Sequence, residues 1–175
     1  SPINELAAQL RPLGVPVFWV LHTNTQNDGI SDWEVFFNHV VRNADIRERM
    51  VESLAPESQK VWDDLVVEDG DVTIIKNRYS AFAHGSSTIE RVLRSRGIDT
   101  VLVGGTKTNV CCESTARDAM MLDFKSVMVS DCCAASSDDE HLASLETFIQ
   151  QFGDVMTSEE VMDRMIRRND AAAAE

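Results

Sequence analysis

Cys111 is the side chain whose type and surroundings point most directly to chemistry. It follows a short apolar run at residues 100–103, a glycine pair and a polar stretch at residues 106–109. This pattern predicts a buried strand stopped by Gly104 and Gly105, a turn, and a helix that begins at the cysteine. The N-terminus of a helix favours a thiolate and can hold an oxyanion through its free N–H groups. Cys111 is therefore a candidate nucleophile, and the alternative is an inert core cysteine.

Lys76 is the second candidate. The apolar run at residues 71–76 predicts a strand that carries Lys76 at its C-terminal end. In an open α/β sheet, ligands bind at that edge of the strands. A lysine directly after a strand is otherwise an ordinary solvated residue, so the pattern alone leaves its role open.

Two segments carry a resemblance to a known family. Residues 105–119, GTKTNVCCESTARDA, resemble the active-site segment of the cysteine hydrolases of the isochorismatase-like superfamily. Residues 74–82, IIKNRYSAF, resemble the strand-end K-x-R-Y-S-x-F segment that holds the catalytic lysine of that family. The likeness covers essentially the whole chain and is strongest to the branch of N-carbamoylsarcosine amidase, biuret hydrolase and ureidoacrylate amidohydrolase.

The resemblance implies a cofactor-free amidohydrolase that acts on a small linear carbamoyl or ureido amide. Cys111 would form a covalent thioester with the substrate, and Lys76 would stabilise the thiolate and the charged intermediates. The oxyanion hole would use the backbone N–H groups of Lys107 and Cys111, with a cis peptide bond at Thr106–Lys107.

Aromatic and polar residues near these segments are candidates for substrate contacts. Tyr79 and Asn109 are assigned to the substrate-binding rim, with a purely structural role as the alternative. Trp33, Phe36 and Phe37 could form a wall of the pocket, although packing in the core is the commoner role of aromatic residues.

The general base of the family has no counterpart here. The resemblance places it as an aspartate in an I-D-x-Q segment, after a central strand that would precede the helix beginning at Pro2. An N-terminal piece outside this sequence, a second chain, or a degenerate relative would each explain the difference, and we favour the first. Neither Asp28 nor Asp32 occupies the expected position, and neither do Asp63 and Asp64, so no base is assigned.

Alternating strand and helix patterns predict one α/β domain over residues 1–175, a three-layer α-β-α sandwich with a mainly parallel sheet. An amphipathic helix is expected over 2–13, ending at Gly14. Further helices are expected over 33–41, 45–54, 87–96, 112–121, 137–151 and 157–166, and further strands over 16–21 and 125–130. Capping boxes are expected where a serine or threonine precedes a glutamate by three residues, at Ser87/Glu90, Ser137/Glu140 and Thr157/Glu160.

Composition narrows the class of protein. Hydrophobic residues make up 43% of the chain and the mean hydropathy is −0.17, as in ordinary soluble globular domains. No apolar run is long enough for a membrane span and no signal segment opens the sequence, so a cytoplasmic protein is expected. The net charge of −13 argues against nucleic acid and anionic membranes as partners. A small-molecule amide and further copies of the chain, in a dimer or tetramer, are the expected partners.

The four cysteines form two adjacent pairs, 111–112 and 132–133, a spacing that does not match a zinc knuckle. Reduced thiols are expected. Nicotinamidases resemble this chain but carry a metal segment with two histidines, whereas residues 22–32 contain only His22, so no metal is expected.

Three functions therefore compete. The first is the amidohydrolase. The second is an inactive relative that serves as a binding or oligomerisation subunit. An isochorismatase- or nicotinamidase-type hydrolase is a further alternative to the amidohydrolase, although isochorismatases proper lack the cysteine. The third is a thiol redox protein using Cys111 and Cys112, which is disfavoured because a disulfide between adjacent residues is strained.

Overall fold

The computed structural model of the protein describes residues 1–173, so the last two residues of the predicted domain lie outside it. Its strands are β1 (Phe18–His22), β2 (Gln26–Asn27), β3 (Ile30–Ser31), β4 (Val72–Lys76), β5 (Thr100–Thr106), β6 (Lys125–Ala134) and β7 (Asp154–Met156). Its α-helices are α1 (Pro2–Leu10), α2 (Ala44–Ser53), α3 (Ile89–Ser95), α4 (Glu113–Met121), α5 (Asp138–Gln151) and α6 (Ser158–Ala173). Short π-helical turns cover Phe36–Val40 and Thr108–Cys112.

The long strands are parallel and fall into two groups. β1 pairs with β4, and β5, β6 and β7 pair in that order, while β2 and β3 form a small antiparallel hairpin. Within residues 1–173, neither β1 nor β4 is hydrogen-bonded to β5 as a strand partner. The register places His22 opposite Lys76 at the C-terminal ends of β1 and β4.

Helices cover both faces of the strands, which confirms the predicted α/β sandwich. On one face, α1 and α6 pack against β6 through Leu6, Leu10, Val127, Val129 and Val161. On the other face, Met128 of β6 packs against α4 and α5, and Phe148 of α5 is completely buried there. The α3 helix contributes Ile89 and Leu93 to a further buried cluster that also contains Ile74 of β4 and Ala119 of α4. No helix among the described residues is both long enough and apolar enough to cross a membrane.

Asp71 anchors the beginning of β4. Its carboxylate accepts two hydrogen bonds from the Arg11 guanidinium, at 3.0 and 2.7 Å, and one from the indole N–H of Trp19 at 2.9 Å. The main-chain N–H of Glu68 donates to it as well, at 3.0 Å. The Arg11 hydrogen bond is the main reason that the pKa of Asp71 falls from 3.8 to about 2. This network ties the segment after α1 to the strand that carries Lys76.

The prediction that Gly104 and Gly105 end their strand is wrong. β5 continues to Thr106, with a register shift between Val103 and Gly105. A Cβ atom on Gly104 would lie 3.1 Å from the Cβ of Cys132, so glycine allows β6 to approach closely at this point. Gly105 has a φ of 130°, which favours glycine. The glycines therefore shape a bulge inside the strand.

Of the three predicted capping boxes, the one at Thr157/Glu160 is complete, and the one at Ser137/Glu140 shows only the hydrogen bond to the serine. The Ser137 hydroxyl accepts the N–H of Glu140, and Thr157 and Glu160 bond each other's main chain reciprocally. The box at Ser87 is absent because the Ser87 hydroxyl accepts the N–H of Ile89 and donates to a carbonyl of the preceding loop. The hairpin of β2 and β3 and the short strand β7 had no counterpart among the predictions.

Candidate active site

Cys111 lies in the π-helical turn Thr108–Cys112, directly before α4. It is partly exposed and its thiol is free. Lys107 precedes the turn in an extended conformation, and the Thr106–Lys107 peptide bond is cis, as expected from the resemblance. The two amides assigned to an oxyanion hole, those of Lys107 and Cys111, thus belong to the single bend that leads from β5 into α4.

Lys76 reaches this bend from the end of β4. Its side chain is 4% exposed, and its ammonium group donates to the carbonyl of Arg78 at 2.7 Å and to Cys111 Sγ at 3.6 Å. Burial lowers the pKa of Lys76, while the nearby Cys111 sulfur opposes that shift. The structure therefore brings the two candidate residues into contact, in an environment where their charges are weakly screened.

Tyr79 lies beside the nucleophile in a cluster of aromatic rings. Its ring centroid is 4.7 Å from that of Trp33 and 5.9 Å from that of Phe36, both edge-on. Burial raises the pKa of the Tyr79 phenol, and negative charge on Cys111 adds to the effect. Phe36 and Phe37 are buried at 6% and 2% exposure, so they form the base of this cluster.

Asn109, the other rim candidate, lies two residues before the cysteine. Its side-chain oxygen is buried and has no hydrogen-bond partner among the described residues. A buried amide oxygen without a partner is unusual and is compatible with a polar group supplied by a ligand.

His22 is a site residue that sequence reasoning did not single out. It faces Lys76 across the β1–β4 pair, and its ring lies 5.7 Å from Trp33 and 6.4 Å from Tyr79. Burial, followed by the charge of Lys76, lowers its pKa from 6.5 to about 4, so the imidazole is neutral near neutral pH. Its position at the end of a predicted strand, matched to that of Lys76, was the available signal.

An open cleft of about 500 Å³ lies next to the aromatic cluster, and neither Cys111 nor Lys76 is among its lining residues. Its lining includes Trp33, Arg78, Tyr79, Ser114, Arg117 and Asp118. Tyr79 links it to Cys111 on one side, and Ser114 stands one turn beyond Cys111 at the start of α4. Through Tyr79 and Ser114, the cleft is therefore close to the candidate nucleophile.

Cys112, although adjacent to the candidate nucleophile, lies in a different environment. It is 5% exposed and belongs to the core formed with Met128 and Phe148. A hydrogen bond with Cys133, together with burial, raises the pKa of its thiol. All four cysteines are free thiols. The environment therefore favours Cys111 over Cys112 as the reactive sulfur.

The described surroundings of Lys76 and Cys111 hold neither a paired carboxylate nor a cluster of metal ligands. Within the described part of the chain, no carboxylate forms an ion pair with Lys76. Among the described side chains, those of residues 1–167, no three histidine, cysteine, aspartate or glutamate groups lie together as a metal site would require. The arrangement is that of an α/β protein with a cysteine and a buried lysine at the C-terminal edge of its strands.

Comparison with known proteins assigns the family. The isochorismatase domain family matches residues 1–160, and the chain belongs to that family. Enterobactin synthase component B of Escherichia coli K12 is 38% identical over 121 residues, which is 69% of this chain but only 42% of that protein.

Solved structures agree with this assignment. A cysteine hydrolase from Pseudomonas syringae pv. phaseolicola is 31% identical with a TM-score of 0.79, covering 95% of this chain and 79% of its own. N-carbamoylsarcosine amidase from Thermoplasma acidophilum is 25% identical with a TM-score of 0.70, covering 91% and 82%. The resemblance inferred from the two sequence segments is confirmed at the level of the family and the fold.

Proposed function

We propose that the protein is a cysteine-dependent amidohydrolase that cleaves a C–N bond of a small carbamoyl or ureido amide. The observation that carries the proposal is the 3.6 Å contact between the Lys76 ammonium group and Cys111 Sγ. A cation held at that distance by a buried strand end stabilises a thiolate, which is the nucleophilic form of cysteine. The name of the similar N-carbamoylsarcosine amidase supports the choice of an amide substrate.

The reaction would proceed in two steps. In the first, Cys111 Sγ attacks the carbonyl carbon, the N–H groups of Lys107 and Cys111 bind the developing oxyanion, and the C–N bond breaks as the leaving nitrogen takes a proton. A thioester and an amine result. In the second, water attacks the thioester, releasing the acid and restoring the thiol, and Lys76 stabilises negative charge at both stages.

The proton transfers require a base that the described residues do not identify. The resemblance assigns this role to an aspartate on a further central strand. The two groups of strands, which are not hydrogen-bonded to each other within residues 1–173, support a strand between them. We propose that the aspartate on that strand would reach Lys76 and Cys111 from the space between the two groups of strands.

The decisive experiment uses a protein that includes the expected N-terminal strand and its aspartate, and it follows ammonia or amine release from biuret, N-carbamoylsarcosine, ureidoacrylate and nicotinamide. We expect hydrolysis of at least one carbamoyl or ureido compound and its loss, by a factor of about a thousand or more, in Cys111→Ser. Cys112→Ala is the matched control, because this thiol faces the core and is expected to be dispensable for catalysis. Unchanged hydrolysis in Cys111→Ser would show that the mechanism is wrong.

Alkylation tests the nucleophile independently of the substrate. Iodoacetamide should modify Cys111 in the native protein well before Cys112, which is 5% exposed. Peptide mapping after brief labelling measures the two rates. Similar rates for both thiols would favour the inactive-subunit alternative, as would the absence of hydrolysis with every compound. Hydrolysis of nicotinamide alone would favour the nicotinamidase alternative.

A further inference from the structure

Arg78 is a fixed cation at the entrance to the cleft. One of its terminal nitrogens donates to the carbonyl of Asn77 at 2.7 Å, and the other donates to the carbonyl of Asp32 at 2.8 Å. Its guanidinium carbon also lies 5.2 Å from the centre of the Trp33 ring. These partners hold the group in place without neutralising it, since main-chain carbonyls and a ring face carry no net charge.

Among residues 1–167, whose side chains the structure describes, no carboxylate forms an ion pair with Arg78. Arg117, the other arginine of the cleft, differs in this respect because it is ion-paired with Glu113 and stacked over Phe152. Asp118 also lines the cleft but makes no ion pair with Arg78. A guanidinium has five N–H donors, of which the two carbonyls use two, so donors remain for a ligand.

The position of Arg78 relates it to the reacting atoms. Arg78 is adjacent in sequence to Tyr79, and negative charge on Cys111 contributes to the raised pKa of the Tyr79 phenol. The main-chain carbonyl of Arg78 accepts a hydrogen bond from the Lys76 ammonium group. Arg78 and Tyr79 line the same cleft, so the guanidinium is available to a molecule bound there beside Tyr79. In a chain with a net charge of −13, a local cation of this type is what allows an anionic group to bind.

We propose that Arg78 binds the carboxylate of the substrate, so that the protein acts on the amide or ureido derivative of a small carboxylic acid. The planar guanidinium matches a carboxylate in charge and geometry, and such charge-assisted hydrogen bonds are about twice as strong as neutral ones. A neutral amide of the same size leaves these donors unpaired and binds less well. This inference rests on the proposed function and specifies the substrate class of the same site.

The test measures how well two matched compounds protect Cys111 from iodoacetamide. Succinamate carries one amide and one carboxylate, and succinamide carries an amide at each end, so they differ mainly in charge. With the full chain, succinamate should protect at a concentration at least about tenfold lower than succinamide. Each variant is compared with its own labelling rate without competitor, which removes any effect on the intrinsic reactivity of the thiol.

Arg78→Gln should abolish the preference for succinamate, and Arg78→Lys should retain part of it, because the charge remains but the planar fork is lost. Arg117→Gln removes the same charge from the same cleft and should keep the preference. Circular dichroism of each variant verifies folding. A preference that survives in Arg78→Gln, one that disappears equally in Arg117→Gln, or equal protection by both compounds in the native chain would overturn the proposal.

The outcome is separable from that of the proposed function. If succinamate protects through Arg78 but Cys111→Ser hydrolyses amides as well as the native chain, the subsite stands and the mechanism fails. If hydrolysis depends on Cys111 but is fastest with neutral amides and unaffected by Arg78→Gln, the mechanism stands and the assignment of Arg78 fails.

Discussion

Replacing Asp71 by asparagine should destabilise the protein by an amount that follows from its contacts. The carboxylate is 4% exposed and pairs with an Arg11 side chain that is 14% exposed. Its pKa is lowered from 3.8 to about 2, first by the hydrogen bond from Arg11. Since one pKa unit corresponds to about 1.4 kcal/mol, ionisation of Asp71 contributes about 2 kcal/mol to the free energy of unfolding.

The sign of the pH dependence is determined by the direction of the shift. The folded-state pKa lies below the ordinary value, so the contribution is fully present above about pH 5 and is lost as the pH falls toward 2. At about pH 3, close to half of it, or about 1 kcal/mol, has disappeared. Asparagine does not titrate, so the difference between the native chain and Asp71→Asn should shrink by this amount.

Urea unfolding followed by circular dichroism measures the free energy of unfolding of the native chain and the variant at about pH 7 and about pH 3. At about pH 7, Asp71→Asn should lower the free energy of unfolding by about 2 to 3 kcal/mol, because the variant removes the buried charged partner of Arg11 and leaves only the exposed Glu68. Asp69→Asn is the matched control, since Asp69 is exposed and nearby in sequence, and it should change stability by less than about 0.5 kcal/mol. Equal effects of the two substitutions, or a difference for Asp71 that is the same at both pH values, would refute the reasoning.

Three further predictions concern the site and its support. Lys76→Met should slow iodoacetamide labelling of Cys111 by about tenfold or more near neutral pH, because the thiolate loses its cation; Lys125→Met, a surface control, should not. Gly153→Ala should destabilise the protein by more than about 2 kcal/mol in urea unfolding, because the added methyl group would lie 2.2 Å from a main-chain oxygen of β6. Because the pKa of His22 is lowered from 6.5 to about 4, protonation destabilises the fold as the pH falls through this range, and His22→Gln should weaken that pH dependence of unfolding.

The contact between Lys76 and Cys111 could be anticipated from sequence because both residues follow predicted parallel strands. The C-terminal ends of such strands meet at one edge of the sheet, so residues placed after them converge. The strand of Lys76 was also delimited nearly correctly, since the expected range 71–76 differs from the observed Val72–Lys76 by one residue. An apolar run bounded by polar residues defines a buried strand well.

Features that depend on tertiary contacts could not be predicted from the sequence. The continuation of β5 through Gly104 rests on the close approach of Cys132, a residue of another strand that local sequence does not reveal. The absent capping box at Ser87 has the same origin, because the Ser87 hydroxyl donates to the carbonyl of Ala81 and accepts the N–H of Ile89 instead of that of Glu90. The surroundings of Arg78 also depend on tertiary contacts. Its guanidinium donates to the main-chain carbonyl of Asp32, a residue 46 positions earlier in the chain, and local sequence does not predict this contact.

The site joins side chains from two groups of strands that share no strand pairing, which raises the question of what fixes their separation. Lys76 comes from the β1–β4 pair and Cys111 from the bend after β5. A hydrophobic cluster connects the two groups, since Ile74 of β4 and Ala119 of α4 are both buried in it and Val101 of β5 packs against it. Because tightly packed cores resist deformation, this cluster helps to fix the distance between the Lys76 ammonium group and the Cys111 sulfur. The geometry of the candidate nucleophile is therefore a consequence of helix packing over the strands.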